Sequence, residues 1–240
     1  MDGGPVNPVE SLVDATYVIN LAHRTDRWEQ VQRVLAGVSY GSYQRFDAYG
    51  VNNLPPAHYT TNISGFSMTG WYGNKFSHYG VIETAKQAGH KSVMVFEDDV
   101  ILHPQFTEYM MMLVGQLAMV EWDWLQFGGN HRYFGGIDTH TSPIDGLPYV
   151  YPADGLVHET ANLARILKML TAHAYIVKES AYDFILNHAI ESPLSIDGFY
   201  AYEVHRRFTC YCVTPCVAKQ SPGMNDIGCV YSDYRPYIGD

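Results

Sequence analysis

The segment Val93-Met94-Val95-Phe96-Glu97-Asp98-Asp99-Val100-Ile101-Leu102 constrains this chain more than any other. An apolar run leads into three consecutive carboxylates, and the sequence then turns apolar again. Short apolar runs bounded by polar residues read as buried central strands. Acids at the exit of such a strand repel one another over a few ångströms, and partial burial raises the cost. A divalent cation removes it. Hard ions such as Mg²⁺ or Mn²⁺ favour carboxylate oxygens and keep positions open for water or phosphate. The segment therefore points to a metal and diphosphate site at the carboxyl edge of an α/β sheet, where such folds bind ligands. A solvated acidic turn is the plain alternative.

The rest of the chain supplies the sheet. Ala15-Thr16-Tyr17-Val18-Ile19-Asn20-Leu21 is a strand buried on both faces, followed by a helix with Trp28, Val31 and Leu35 on one stripe and Gly37 as its stop. Residues 43–48 form a second strand, and residues 52–66, with two prolines and no period, a loop. Over residues 68–88, Tyr72, Phe76, Tyr79, Ile82 and Ala85 recur at helical spacing. After the acidic strand, Pro104 opens a helix with the stripe Phe106, Met110, Leu113 and Leu117, and residues 122–127 are a further strand. Residues 128–157 are rich in Gly, Pro, His and Tyr without a period; a segment so long and aromatic reads as an ordered binding loop. A helix at 160–170, a strand at 173–177, helices at 179–189 and 197–207 and a strand running to Ala218 complete the pattern. Strand–helix alternation implies a mainly parallel sheet with crossover helices, here one domain over residues 1–240.

Charge and composition narrow the partners. A net charge of −10 argues against nucleic acid or an anionic membrane surface. No run approaches the ~20 apolar residues of a membrane span, and Met1-Asp2-Gly3-Gly4-Pro5 has no basic or hydrophobic signal region, so the expectation is a soluble cytoplasmic protein. The four cysteines are Cys210, Cys212, Cys216 and Cys229; Cys210 and Cys212 alternate in a strand-like segment and read as small buried hydrophobes, and a zinc site would want paired ligands at both ends, of which the second pair is missing.

Taken together, the motifs resemble glycosyltransferase family 25, the group holding lipopolysaccharide and collagen galactosyltransferases. The residues that carry the resemblance begin with Tyr17-Val18-Ile19-Asn20-Leu21-Ala22-His23-Arg24-Thr25-Asp26-Arg27, Arg45-Phe46-Asp47-Ala48-Tyr49-Gly50 and Gly73-Asn74-Lys75-Phe76-Ser77-His78-Tyr79. They continue through Glu97-Asp98-Asp99, Trp122-Asp123-Trp124-Leu125-Gln126-Phe127-Gly128, Thr171-Ala172-His173-Ala174-Tyr175 and Gln220-Ser221-Pro222-Gly223-Met224-Asn225-Asp226-Ile227. The motifs stand in family order between about residues 17 and 227. Asn74, where the family usually has Cys, is a departure of little expected consequence; the long segment 128–157 departs more, and bears on the acceptor.

The resemblance implies a GT-A type, Rossmann-like α/β fold and a metal-dependent, inverting transfer of a hexose, galactose or glucose, from a UDP-sugar to a glycan or protein hydroxyl. The ion would be Mn²⁺ or Mg²⁺, held by Asp99 directly, with Glu97 on metal-bound water or ribose. Side chains two apart on an extended segment share a face, so Asp98 points away but can replace either if a turn starts early. Asp226 would complete the metal shell, and Gln220 the metal or phosphate shell. Asn20 and Leu21 offer backbone groups to the base, Arg24 and Arg27 offer forked donors to phosphate, and the family segment adds Ser77 and His78. Ordinary helix-surface pairing with Asp26 is the competing role for the arginines. Asp197, opening a helix where related enzymes place an acid, would take the acceptor proton, although Ser195 and Asp197 are also ordinary caps. Tyr133, Tyr149 and Tyr151 would suit stacking on sugar rings. A nucleotidyl- or phosphotransferase would also set carboxylates after a strand, but would normally show the Gly-x-x-x-x-Gly-Lys-Ser/Thr phosphate loop that this chain lacks. A degenerate nucleotide-sugar-binding domain would keep the fold and lose the acids.

Overall fold

The apolar run forms β3 (Ser92–Glu97), buried on both faces. Val93 and Val95 project into one core with Tyr17, Trp124 and Tyr175. Met94 and Phe96 project into a second core with Val18, Leu125 and Ile176. This alternation is why the strand is apolar throughout: with both faces covered, no position is left for water. The computed structural model describes residues 8–50, 52–55, 68–132, 138–224 and 231–232.

The elements follow in chain order. They are β1 (Ala15–Asn20), α1 (Thr25–Gly37), β2 (Gln44–Asp47), α2 (Met68–Gln87), β3, β4 (Val100–Leu102), α3 (Phe106–Leu117) and β5 (Trp124–Gln126). Next come β6 (Asp138–Thr141), β7 (Pro148–Tyr151), β8 (Leu156–His158), β9 (Leu163–Ile166), β10 (Ala174–Lys178) and α4 (Glu179–His188). Then come α5 (Ile196–Phe199), a π-helical turn (Tyr200–Val204), β11 (Cys210–Val213), β12 (Ala218–Gln220) and the short pair β13 (Gly223–Met224) and β14 (Tyr231–Ser232). Eight strands make one mixed sheet in the order β2-β1-β3-β10-β5-β11-β9-β8. The pairs β1–β2, β1–β3 and β5–β11 are parallel, whereas β10 runs antiparallel to both β3 and β5. The carboxyl ends of β1, β3, β5 and β11 consequently share one edge. Buried residues of α2, α4 and α5 cover the first core, and those of α1 and α3 the second. Among the described residues no helix is long and apolar enough to cross a membrane.

The stripe Phe106, Met110, Leu113 and Leu117 is the buried face of α3. Cys210 and Cys212 face the first core while Tyr211 and Val213 face the second, and both thiols are free and buried; Cys229 lies outside the described residues.

Three expectations change. Residues 163–166 are strand β9, not helix, because the open edge of β11 offers them a ladder, Tyr211↔Arg165 to Val213↔Leu163. The expected helix at 197–207 is a short α-helix running into the π-helical turn. The loop at 128–157 contains the hairpin β6–β7 and then strand β8. That hairpin is tied to the π-helical turn: Tyr202 Oη donates to Asp138 at 2.6 Å, Lys168 Nζ reaches the same carboxylate at 2.8 Å, and Ser142 Oγ donates to buried Glu203 at 2.8 Å. Tyr149 and Tyr151 serve this packing, the first under the Arg206 guanidinium at 3.7 Å and the second donating to the Tyr202 carbonyl at 3.1 Å. Tyr133 lies outside the described residues.

A close approach brings β12 to the functional edge. A Cβ on Gly128 would overlap the Ala218 carbonyl oxygen, so only glycine lets the end of β5 pass β12. Gly128→Ala is expected to destabilise by about 3 kcal/mol and to lower Tm by roughly 6–12 °C, read by thermal melting.

Candidate functional site

The site forms where β1 and β3 end. β3 stops at Glu97, and Asp98 and Asp99 make the turn into β4. The antiparallel pair β4–β12 sets Gln220 opposite Val100, and the Ser221 amide donates to the Asp99 carbonyl at 2.7 Å. Asp98 points toward β1. It accepts from Asn20 Nδ2 at 2.6 Å and from Arg27 at 3.1 Å, with Arg27 also 3.7 Å from Asp99. Glu97 points toward α2 and β12, accepting from Asn74 at 3.1 Å and Gln220 at 3.2 Å, and meeting His78 Nε2 at 3.0 Å. His78 Nδ1 in turn lies 2.8 Å from the Tyr175 hydroxyl, itself 3.2 Å from that of Tyr200.

The three acids therefore differ electrostatically. Burial raises Glu97, but hydrogen bonding and charge from His78 outweigh it and hold the carboxyl below its ordinary value. Burial raises Asp98 despite Arg27 and Asn20. Asp99 is pushed up to about 7, first by burial and then by the Glu97 charge. Its Oδ1 is buried without a hydrogen-bond partner, as are the side-chain oxygens of Asn20 and Asn74.

These orphaned oxygens suit a hard cation. Among the described residues no three His, Cys, Asp or Glu are grouped to hold a metal, so the protein share would be small: Asp99 first, with Glu97 and Asp98 already engaged by other side chains. That donor set fits Mg²⁺ or Mn²⁺, which bind through one or two carboxylates and take their remaining ligands from water and substrate phosphate.

Arg27 thus joins the acids, while Arg24 pairs with exposed Asp26 at 3.0 Å. The Leu21 carbonyl accepts from the Arg24 amide at 2.8 Å and from Arg45 at 3.3 Å. Ser77 is buried and braces the loop after β2, accepting from the Tyr49 amide at 2.9 Å. Asp197 is half-buried on the first turn of α5, where the cap is Ser195, whose Oγ accepts from the Gly198 amide at 3.2 Å. Asp226 lies outside the described residues.

Hydropathy alone misses Asn74, Lys75, Tyr175 and Tyr200. The aromatic stripe of α2 suggests an apolar inner face, yet over residues 73–78 the buried side chains are Lys75, Ser77 and His78. Burial pushes Lys75 down to about 8. The motif spacing, not the hydrophobic period, marks this stretch. Asn74, read as an inconsequential departure, touches Glu97. His173 is fully buried beside Glu97, and burial lowers it.

Fold and edge together define a mixed α/β protein with its polar cluster at the carboxyl end of the central strands. Residues 13–133, half of the chain, match the sequence family described as glycosyltransferase family 25 (LPS biosynthesis protein). The chain belongs to that family and is a glycosyltransferase. The match spans β1 to β5, including the acidic turn, and ends before Asp197 and Gln220. No curated protein matches the chain. Two similar solved structures are A197 from STIV, at 8% identity over 86% of this chain and 84% of that one with a TM-score of 0.42, and a glycosyltransferase involved in the glycosylation of the major capsid of PBCV-1, at 11% identity over 79% and 76% with a TM-score of 0.38.

Proposed function

We propose that this glycosyltransferase moves a hexose, galactose or glucose, from a UDP-sugar to a hydroxyl of a glycan or protein, with inversion and with Mn²⁺ or Mg²⁺, on a GT-A type fold. The observation that carries the reading is the buried Oδ1 of Asp99 at the carboxyl edge, which has no hydrogen-bond partner and belongs to a carboxyl raised to about 7 by burial and then by the Glu97 charge. A divalent ion there would neutralise the diphosphate as it leaves. The antiparallel β10 between parallel β3 and β5 supports the fold assignment.

In this reading the chain's own groups divide the work. Asn20 and Leu21, at the end of β1, face the nucleoside. Arg27, held against Asp98 and Asp99, lies where a diphosphate would add negative charge, with Arg24 one helical turn earlier. Gln220 bridges toward Glu97 and fixes its rotamer, while His78 holds the opposite side. Asp98 orients Asn20 and Arg27, Ser77 supports α2, and Asp226 follows β12 in sequence as a further acid. In the displacement the acceptor oxygen bonds to the anomeric carbon, the bond to the diphosphate breaks, and the acceptor proton passes to Asp197.

UDP release from a panel of UDP-sugars, with Mn²⁺ or with EDTA, tests this. The expected result is acceptor-stimulated, metal-dependent release from one hexose donor. Pyrophosphate release from a nucleoside triphosphate would favour a nucleotidyltransferase, and Mn²⁺-dependent UDP binding without any turnover a degenerate binding domain.

A further inference from the structure

We propose that Lys75 is a positioning residue that ties the acceptor-side helix to the strand end carrying Glu97. The inference rests on the reading of Asp197 as the base. Lys75 is fully buried on α2, a costly place for an ammonium. No carboxylate among the described residues forms a salt bridge with it. Instead Nζ donates to the Ser192 carbonyl at 2.6 Å and lies 4.1 Å from the centre of the Trp71 ring. An apolar side chain of the same length would fill the space; what the ammonium adds is a directed bond across two elements.

Both ends of that bond lead to the site. On α2, the residue before Lys75 is Asn74, which donates to Glu97, and one turn later His78 meets the same carboxylate. On the other side, Ser192 belongs to a turn fixed at each end. Its amide donates to the His188 carbonyl at the end of α4 at 3.1 Å, and its Oγ accepts from the Leu194 amide at 3.2 Å. Ser195 then caps α5 and Asp197 follows within the first turn. A second route runs parallel, from His78 through the hydroxyls of Tyr175 and Tyr200, three residues beyond Asp197. Lys75 thus sets the distance between the donor side, gripped by Asn74 and His78, and the helix that presents Asp197. A misplacement of about 1 Å at a reacting group is enough to cost roughly 10²-fold in rate.

Lys75→Met keeps the length of the side chain and removes the donor. The expected result is a Tm within a few degrees of wild type, UDP affinity and donor KM within about threefold, and kcat for transfer lower by roughly 10-fold or more. If Lys75 acts through Asp197, the double variant Lys75→Met/Asp197→Asn is no slower than Asp197→Asn alone. Multiplying effects, or equal losses of donor binding and kcat, would reduce Lys75 to a packing residue. Lys75→Gln serves as the second variant, and failure of both to fold would overturn the proposal equally. Wild-type transfer by Asp197→Asn, with Lys75→Met still slow, removes the base assignment and with it the action of Lys75 through Asp197; a slow Asp197→Asn beside wild-type transfer by Lys75→Met removes the role of Lys75 alone.

Discussion

Asp99→Ala is expected to lower transfer by roughly 10³-fold or more and to abolish Mn²⁺-dependent UDP binding. The two carboxylates that precede it cannot substitute, since Glu97 is engaged by His78, Asn74 and Gln220 and Asp98 by Asn20 and Arg27. Without the Asp99 oxygen the diphosphate would face Glu97 and Asp98, with the Arg27 guanidinium held against Asp98. Titration calorimetry of UDP with and without Mn²⁺, beside a UDP-release assay, reads both effects. Full activity of Asp99→Ala in EDTA would end the metal role.

The same residue gives a result that needs no turnover. In EDTA the folded Asp99 carboxyl keeps its proton to about pH 7, its value being raised by burial and by Glu97, whereas an unfolded one releases it near pH 4. Between those values the folded state binds more protons than the unfolded state, so this group makes stability fall as pH rises. Asp99→Asn removes the titration and is expected to flatten that slope in melts from pH 4 to 8. An unchanged slope would show that Asp99 is not the strained carboxyl of the site.

Asp197→Asn is expected to lower kcat by roughly 10²-fold or more while UDP-sugar affinity survives, because the amide keeps the size of the side chain and loses the proton acceptor. The structure sharpens this test. The cap of α5 is made by Ser195, not Asp197, so the substitution leaves the helix start intact and a loss of rate cannot be assigned to unfolding of α5. A kcat within about threefold of wild type would make Asp197 a surface acid.

How far the sequence reached follows from which interactions are local. Strands β1, β3 and β10 were legible because each is built on a mostly apolar run, the pattern that burial on both faces demands. Helix α3 was legible because its one buried face repeats at helical spacing. The acidic turn was legible because like charges at a strand exit need an outside partner, whatever surrounds them. Strand β9 was not, since its pairing with β11 joins residues some fifty positions apart and nothing near Leu163 announces it. The buried polar side of α2 was hidden for a related reason: Lys75, Ser77 and His78 are tolerated inside because Ser192, Tyr49, Glu97 and Tyr175 meet them from other elements.

The division is physical. The sequence by itself pointed to a buried strand that ends in carboxylates at the edge of an α/β sheet, because periodicity and like-charge repulsion act over a few neighbouring residues. Only the tertiary structure decided which of those carboxylates keeps an oxygen without a hydrogen bond. Asn20, Arg27, His78, Asn74 and Gln220 come from separate elements to engage Asp98 and Glu97, and leave the Asp99 oxygen buried and unpartnered. Long-range hydrogen bonds, which no local pattern records, single out that atom.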